Sequence, residues 1–411
     1  MEEPITKENI LNIRFISLCG VTFLALCNVS VFFNFHEYLL GLEFGNEQAG
    51  FLVGLYSLSA MALYATVSQR ITLDNAYRTM LLGIALVFLC AVSYRFAEGF
   101  LPLASVRSLN GAGVFCIMAA CMVILVSIIP DSKSGTAFSI YSVALLAPYS
   151  VMPAVSEFVR PWLDTPTMLY MLTGCLLIPA TILAYAAKPE KQNNVEGGAD
   201  KKDTSSVSNT MRMRNLRRKP IAAILLVNGV YFTLFSGLFY LFEGFALSRG
   251  VGNPGFFFTV QMGVMVAIRL FGGHIFDSIS KVLLVTLSMG ITGLGFILLF
   301  YMPSPAWSLF IAVVFGLGMG LCIPPLNSLM YLVAEPKFRG YNANMMMLTV
   351  HFGTFAGPFV GSLLIDAGGY SSFLLTATFL TICGAVFFLK TNPEKQIKRK
   401  KNRLSNAALP T

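Results

Sequence analysis

The chain has 411 residues, is 55% hydrophobic and only 12% charged, and its mean hydropathy is +0.70. Those proportions exclude a water-soluble globular domain, which could not bury so much apolar surface, and make the bilayer the solvent. The formal charge of +9, from 29 Lys and Arg against 20 Asp and Glu, lies mostly outside the apolar stretches, so it signals membrane topology and speaks against nucleic acid as a partner.

A hydrocarbon core about 30 Å thick is crossed by about 20 apolar helical residues, and twelve stretches of that length follow one another along the chain. Met1 to Asn12 is polar, of mixed charge, and has no small-residue cleavage pattern behind it. The first stretch, 13–40, is therefore expected to be a retained span and not a signal peptide. Residues 47–70, 76–97, 102–128, 134–158 and 166–187 complete a first set of six. Residues 188–219 carry Gly and Ser, many polar groups and almost no aromatics, which predicts a flexible cytoplasmic linker. The second set is 220–247, 253–275, 281–302, 306–333, 341–366 and 370–390, followed by a basic tail. These runs are too long for barrel strands and lack period-two alternation, and helices alone among open structures satisfy their backbone in lipid. The expected architecture is an all-α polytopic membrane protein: an N-terminal six-helix bundle over 1–187, the linker over 188–219, and a C-terminal six-helix bundle with its tail over 220–411.

Charge predicts the orientation. With the N-terminus inside, 24 of the 29 Lys and Arg fall in cytoplasmic segments. Arg95, Arg160 and Arg249 fall in outer loops, while Arg107 and Arg269 lie inside spans. The positive-inside rule thus places both termini in the cytoplasm of a multi-pass protein of the cell (inner) membrane. All eight cysteines lie in apolar spans and none forms a CxxC pair, so they are expected to pack and not to bind metal or form disulfides.

The two sets of spans echo each other. Gly50 and Gly255, Gly111 and Gly316, Gly113 and Gly318, Gly135 and Gly340, and Pro153 and Pro358 are each 205 positions apart, and Glu37 with Glu243 misses that offset by one. Scattered glycines would not keep register over a hundred residues by chance, whereas two halves related by an axis along the membrane normal would. That is the plan of a transporter.

Polar residues inside spans are costly to expose to lipid and are candidates to line a cavity. In the first half they are Asn28, Asn34, Tyr56, Asn110, Tyr141 and Tyr149; in the second, Asn228, Tyr231, Tyr240, Gln261 and Asn327. Each can equally serve as an interhelical hydrogen bond. Ionisable candidates for proton coupling are Arg107, Glu37, Glu243 and His351. Arg107 either faces the cavity or snorkels outward past Pro102; Glu37 and Glu243 are either proton carriers or interfacial anchors; His351 is either a packing residue or a carrier. No cofactor or metal is expected: HEYLL at His36 lacks the second histidine of a zinc helix, and GLGMG at 316–320 has no following lysine for a nucleotide.

Three motifs resemble the major facilitator superfamily of secondary transporters, and the resemblance covers essentially the whole chain. RSLNGAG at 107–113 is similar to the family's arginine-and-glycine motif of the fourth span, associated with proton coupling, which favours the cavity-facing reading of Arg107. GHIFDSISK at 273–281 matches the GxxxDxxxK/R loop at Gly273, Asp277 and Lys281. The resemblance implies that this acid and base hold one access state closed on the cytoplasmic side. The first-half loop departs from the pattern, with Ala65, Gln69 and Arg70 at the corresponding places and Asp74 and Arg78 displaced. GTFAGPFVG at 353–361 resembles the glycine-proline motif of the antiporter branch. It sits in the eleventh span through Gly353, Gly357, Pro358 and Gly361, while the fifth keeps Pro153 but has Met152 in place of glycine. The same glycines serve equally as a plain packing face.

The functional expectation is a secondary active transporter moving a small amphipathic molecule by alternating access, as proton-coupled efflux. Its partners would be that substrate, protons and the lipid bilayer, and it would act as a monomer. The alternative within transport is proton-coupled uptake of a small organic anion attracted by Arg107 and Arg269. A membrane-embedded enzyme or a receptor is disfavoured, because no nucleophile-base pair or metal constellation is present and a receptor needs no duplicated bundle.

Overall fold

Apolar, loop-bounded stretches become helices, a few of them opened by a capping side chain such as Asn12, Asn253 or Ser280. The computed structural model describes residues 12–129, 134–163, 165–188, 209–272 and 279–395, and among these no strand occurs. The first span begins at Asn12, whose side-chain oxygen accepts from the Phe15 amide at 2.8 Å, and runs as α1 (Ile13–Ser30). It then tightens into a 3₁₀ turn, Val31–Asn34, and resumes as α2 (Phe35–Gly41). There follow α3 (Asn46–Thr66), α4 (Leu73–Ser93), α5 (Phe100–Ile128), α6 (Ser134–Val159), α7 (Pro166–Gly174) and α8 (Leu177–Ala186). The short α9 (Asn209–Leu216) precedes α10 (Lys219–Ser248), α11 (Pro254–Phe271), α12 (Lys281–Phe300), α13 (Trp307–Gly320), α14 (Ile323–Val333) and α15 (Arg339–Thr391). The interruption between α13 and α14 falls just before Pro324 and Pro325, which lack the amide that would continue the ladder.

Eleven helical stretches among the described residues are long and apolar enough to cross a membrane. The last of them spans 55 residues, about 80 Å at 1.5 Å per residue and far beyond a bilayer. It is broken at Gly368 and Gly369. Gly369 has φ +68° and ψ −173°, a conformation open essentially to glycine alone. The chain turns back there with no longer loop, and counting both arms gives the twelve spans of the fold.

The chain divides into two compact units, one of residues 1–32 with 66–191 and the other of residues 33–65 with 192–411. The passage from one to the other occurs within the first span, at the 3₁₀ turn. In the first unit, Thr22 of α1 and Tyr141 of α6 share a hydrogen bond of 2.9 Å. There α4 meets α5 so closely that a Cβ on Gly113 would lie 2.7 Å from Val87 and 3.1 Å from the Gly83 carbonyl.

In the second unit α15 is held on two sides. Towards α10, added carbons on Gly353, Gly357 and Gly361 would strike the Gly229 carbonyl, Ser236 and Leu241 in turn. Towards α3, added carbons on Gly50 and Gly54 would strike Ser362 and Phe355. Missing side chains thus let backbones approach where lipid supplies no hydrophobic drive.

The sequence echo reappears in the packing. Gly113 rests against Gly83 and Val87, and Gly318 rests against Thr292 while its carbonyl accepts from Ser288 at 2.6 Å. Ser288 and Thr292 stand 205 positions after Gly83 and Val87, so each unit builds the same crossing from corresponding residues.

Candidate functional site

In the first unit the polar residues of α1, α5 and α7 converge. Arg107 is 1% exposed and carries the largest fully buried side chain of the described residues. Its guanidinium lies 4.6 Å from the Phe32 ring centroid and donates to the Tyr94 hydroxyl at 3.4 Å. Phe32 in turn stacks on Tyr170 at 4.2 Å. This aromatic cradle compensates part of the desolvation that a cation in an apolar span suffers. One turn on, Asn110 donates to the Asn28 carbonyl oxygen at 3.2 Å, and Asn28 donates to Thr173 at 3.0 Å. Thr173 passes the bond to the Tyr170 carbonyl at 2.7 Å. The buried Asn110 Oδ1 meets no hydrogen-bond partner, so the line ends in an open acceptor.

In the second unit the ionisable groups collect where α2 lies against α10 and α15. Glu37 approaches α10 so closely that a Cβ on Gly244 would overlap its carboxylate and the Tyr370 hydroxyl. Tyr370 donates to Glu37 Oε1 at 3.5 Å. Glu243 is 2% exposed. Next to Glu37, the fully buried His36 has Nε2 at 2.9 Å from the Ser362 hydroxyl and Nδ1 at 3.5 Å from Glu37 Oε1. The Nδ1 contact lacks hydrogen-bond geometry.

The remaining second-unit candidates distribute themselves along α3, α10, α11 and α15. Tyr240 donates to Tyr56 at 3.3 Å, and Tyr231 donates to the Met319 carbonyl at 3.1 Å. Asn228 donates to Thr349 at 2.9 Å and to the Met346 carbonyl at 3.2 Å, tying α10 to α15. Gln261 places its amide nitrogen 3.2 Å from the Met319 sulfur and leaves Oε1 buried without a hydrogen-bond partner. His351 stacks on Tyr64 at 5.0 Å. Asn34 is buried in the 3₁₀ turn, Tyr149 is half-buried in α6, and Asn327 is exposed on α14. Pro153 and Pro358 lie inside α6 and α15.

Of the loop residues, Gly273 and Asp277 lie outside the described residues. Arg70 is exposed at the end of a 3₁₀ turn, its carbonyl capped by Asn75 at 2.8 Å. Lys281 opens α12, and its amide is capped by Glu394 at 3.2 Å.

Tyr94, Thr173, His36, Ser362 and Tyr370 complete these clusters without having been singled out as site residues by sequence. Thr and Ser bond their own helix and leave no pattern, and Tyr94 sits just past the end of α4. The adjacency of His36 to Glu37 was the one available signal.

A family model described as the Major Facilitator Superfamily matches residues 18–349. No curated protein is close enough in sequence to count as a match. Among solved structures, the nucleoside transporter NupG is similar at a TM-score of 0.73 and 13% identity, covering 93% of this chain and 100% of its own. A POT family transporter in complex with a thioalcohol-conjugated peptide is similar at 0.75 and 13%, covering 92% and 96%. A bacterial homologue of the human lysosomal transporter Spinster, inward-facing and unoccupied, is similar at 0.72 and 13%, covering 93% and 97%. At that identity the likeness concerns the fold, and the family rests on the sequence model that spans most of the chain. Twelve spans, a duplicated glycine crossing and that match together make the chain a member of the Major Facilitator Superfamily.

Proposed function

We propose that the chain is a proton-coupled secondary transporter that exports a small amphipathic molecule by alternating access, its N-terminal (1–187) and C-terminal (220–411) bundles rocking about a midplane site. The observation that carries this reading is the burial of ionisable groups inside apolar spans. Arg107, Glu243 and His36 are each 2% exposed or less, and such groups in lipid-embedded helices mark ion or substrate pathways. The open acceptor of Asn110 and the aromatic cradle beside it offer the mix of polar handle and ring surface that an amphipathic substrate needs. The outward direction is supported by the resemblance of the Gly353 to Gly361 stripe to the antiporter motif.

The test is flux in proteoliposomes carrying a pH-sensitive dye and an imposed proton gradient, challenged with labelled lipophilic cations. Saturable substrate movement with opposite proton movement is expected. Substrate movement that ignores the gradient would remove the coupling, and parallel proton movement would reverse the direction.

Uptake of a small organic anion is the second reading, favoured by Arg269, whose buried Nε finds no hydrogen-bond partner. A labelled aromatic carboxylate, accumulated with protons and lost in Arg269→Gln, would select it.

A further inference from the structure

We propose that the outward side of α9 is a docking surface for the headgroup of an anionic phospholipid, with Arg214 and Arg217 as the residues that hold its phosphate. Arg212, Arg214, Arg217, Arg218 and Lys219 fall within one short run, 212–219, that contains no acid. The fold uses the first and fourth of these internally. Arg218 donates to Glu335 at 2.9 Å, and Glu335 also faces Lys337 at 3.7 Å, so the acid of this surface is already neutralised. The Arg212 guanidinium lies 5.6 Å from the Tyr341 ring centroid. Arg214, Arg217 and Lys219 are exposed and have no acidic partner among the described residues.

A buried amide pair orients these cations. Asn215 is 3% exposed and donates to Asn342 Oδ1 at 2.7 Å, and Asn342 is fully buried near the start of α15. A polar contact in buried surroundings favours one register over others. With Asn215 turned to α15, a repeat of about 3.6 residues per turn carries Met213, Arg214 and Arg217 away from the bundle. Met213 is 52% exposed. The Arg217 amide bonds to the Met213 carbonyl at 3.1 Å, so the last turn holds through Arg217. The outward stripe is a methionine beside two guanidinium groups.

Placement selects a lipid over a soluble anion. The apolar span that contains α10 starts at Lys219, and Arg217 and Arg218 alone separate it from α9. That connection reaches about 10 Å at full extension, and headgroups form a layer of about 5 to 7 Å beyond the hydrocarbon. α9 is thereby held at about the depth of the phosphates. There a guanidinium can take two phosphate oxygens at once, and a methionine beside it can reach the first acyl carbons.

The test uses the full chain in nanodiscs. Trp162 and Trp307 are the chain's 2 tryptophans; with both replaced by Phe, Met213→Trp becomes the single indole fluorophore. Brominated phosphatidylglycerol should quench it more strongly than the same fraction of brominated phosphatidylcholine, and millimolar inorganic phosphate should leave that difference in place. Adding Arg214→Gln and Arg217→Gln should remove the preference, an effect of about 30-fold in affinity at about 1 kcal/mol for each arginine. Both side chains are exposed, so this variant should keep the parental unfolding midpoint. Arg399→Gln with Arg403→Gln, the same change of charge in the basic tail, should keep the preference. Equal quenching by the two lipids, or a preference that survives the loss of Arg214 and Arg217, would overturn the proposal. So would a preference removed equally by the tail variant, which would make it an effect of net charge, or one abolished by inorganic phosphate, which would make the stripe an unselective anion patch.

Discussion

Arg107 is the residue whose presence most needs a reason. On insertion scales an arginine at the centre of a span costs about 2.5 to 3.5 kcal/mol, yet this one is 1% exposed and lies over Phe32. Replacing it with Ala should relieve the insertion cost, so the variant should reach the membrane at parental levels while gradient-driven flux in proteoliposomes is lost. Arg107→Lys should recover part of the flux, because ammonium keeps the charge but loses the planar face that rests on the ring and the fork that holds two acceptors. Parental flux in both variants would make Arg107 a packing residue. The first-unit cluster was half legible in the sequence, since Arg107, Asn28 and Asn110 announce themselves by being polar in apolar surroundings. Its other half was not: Thr173 and Tyr94 are unremarkable until the fold sets them against partners 145 and 13 positions away. The same holds for His36 and Ser362, which are 326 positions apart.

At the scale of helices, missing side chains decide where backbones touch. A Cβ on Gly357 would run into Ser236 and the Thr233 carbonyl, whereas one on Gly263 meets nothing within 4 Å. Gly357→Ala should therefore destabilise by about 1 to 3 kcal/mol, as overpacking does, and Gly263→Ala should be neutral. Thermal unfolding of the two variants in the same detergent checks the contrast. Gly369→Ala should cost about 1 to 3 kcal/mol for a different reason, the strain of a side chain in a glycine-only conformation. A matched midpoint in Gly369→Ala would mean that the turn relaxes. Spans were readable from length and hydropathy because lipid imposes both. The three-residue gap before the last span was readable too, and the break falls in it at Gly368 and Gly369, whereas the 3₁₀ turn in the first span was not, since a bend within an apolar run leaves hydropathy unchanged.

For the whole chain, charge placement makes a prediction independent of any side-chain contact. With 24 of 29 basic residues in segments of one side, a cysteine introduced at Asp200 and a tag after Thr411 should both be reached only from the cytoplasmic face. Labelling of either from outside would invert the topology and every loop assignment with it.

The unit boundary inside the first span bears on how the protein can be made and dismantled. Residues 33–65 belong by sequence to the first set of spans but pack with α10 and α15. Severing the chain at the linker would orphan this helical hairpin, stripping Gly50 and Gly54 of the surfaces they rest on. The N-terminal fragment made alone should consequently be a short-lived substrate for membrane proteases, and co-synthesis with residues 220–411 should lengthen its half-life. Moving the break to either flank of 33–65 would not help, because the hairpin is covalently bound to one partner and sterically committed to another. Assembly of this transporter should accordingly wait until the eleventh span has left the ribosome, whatever the order in which earlier spans enter the bilayer.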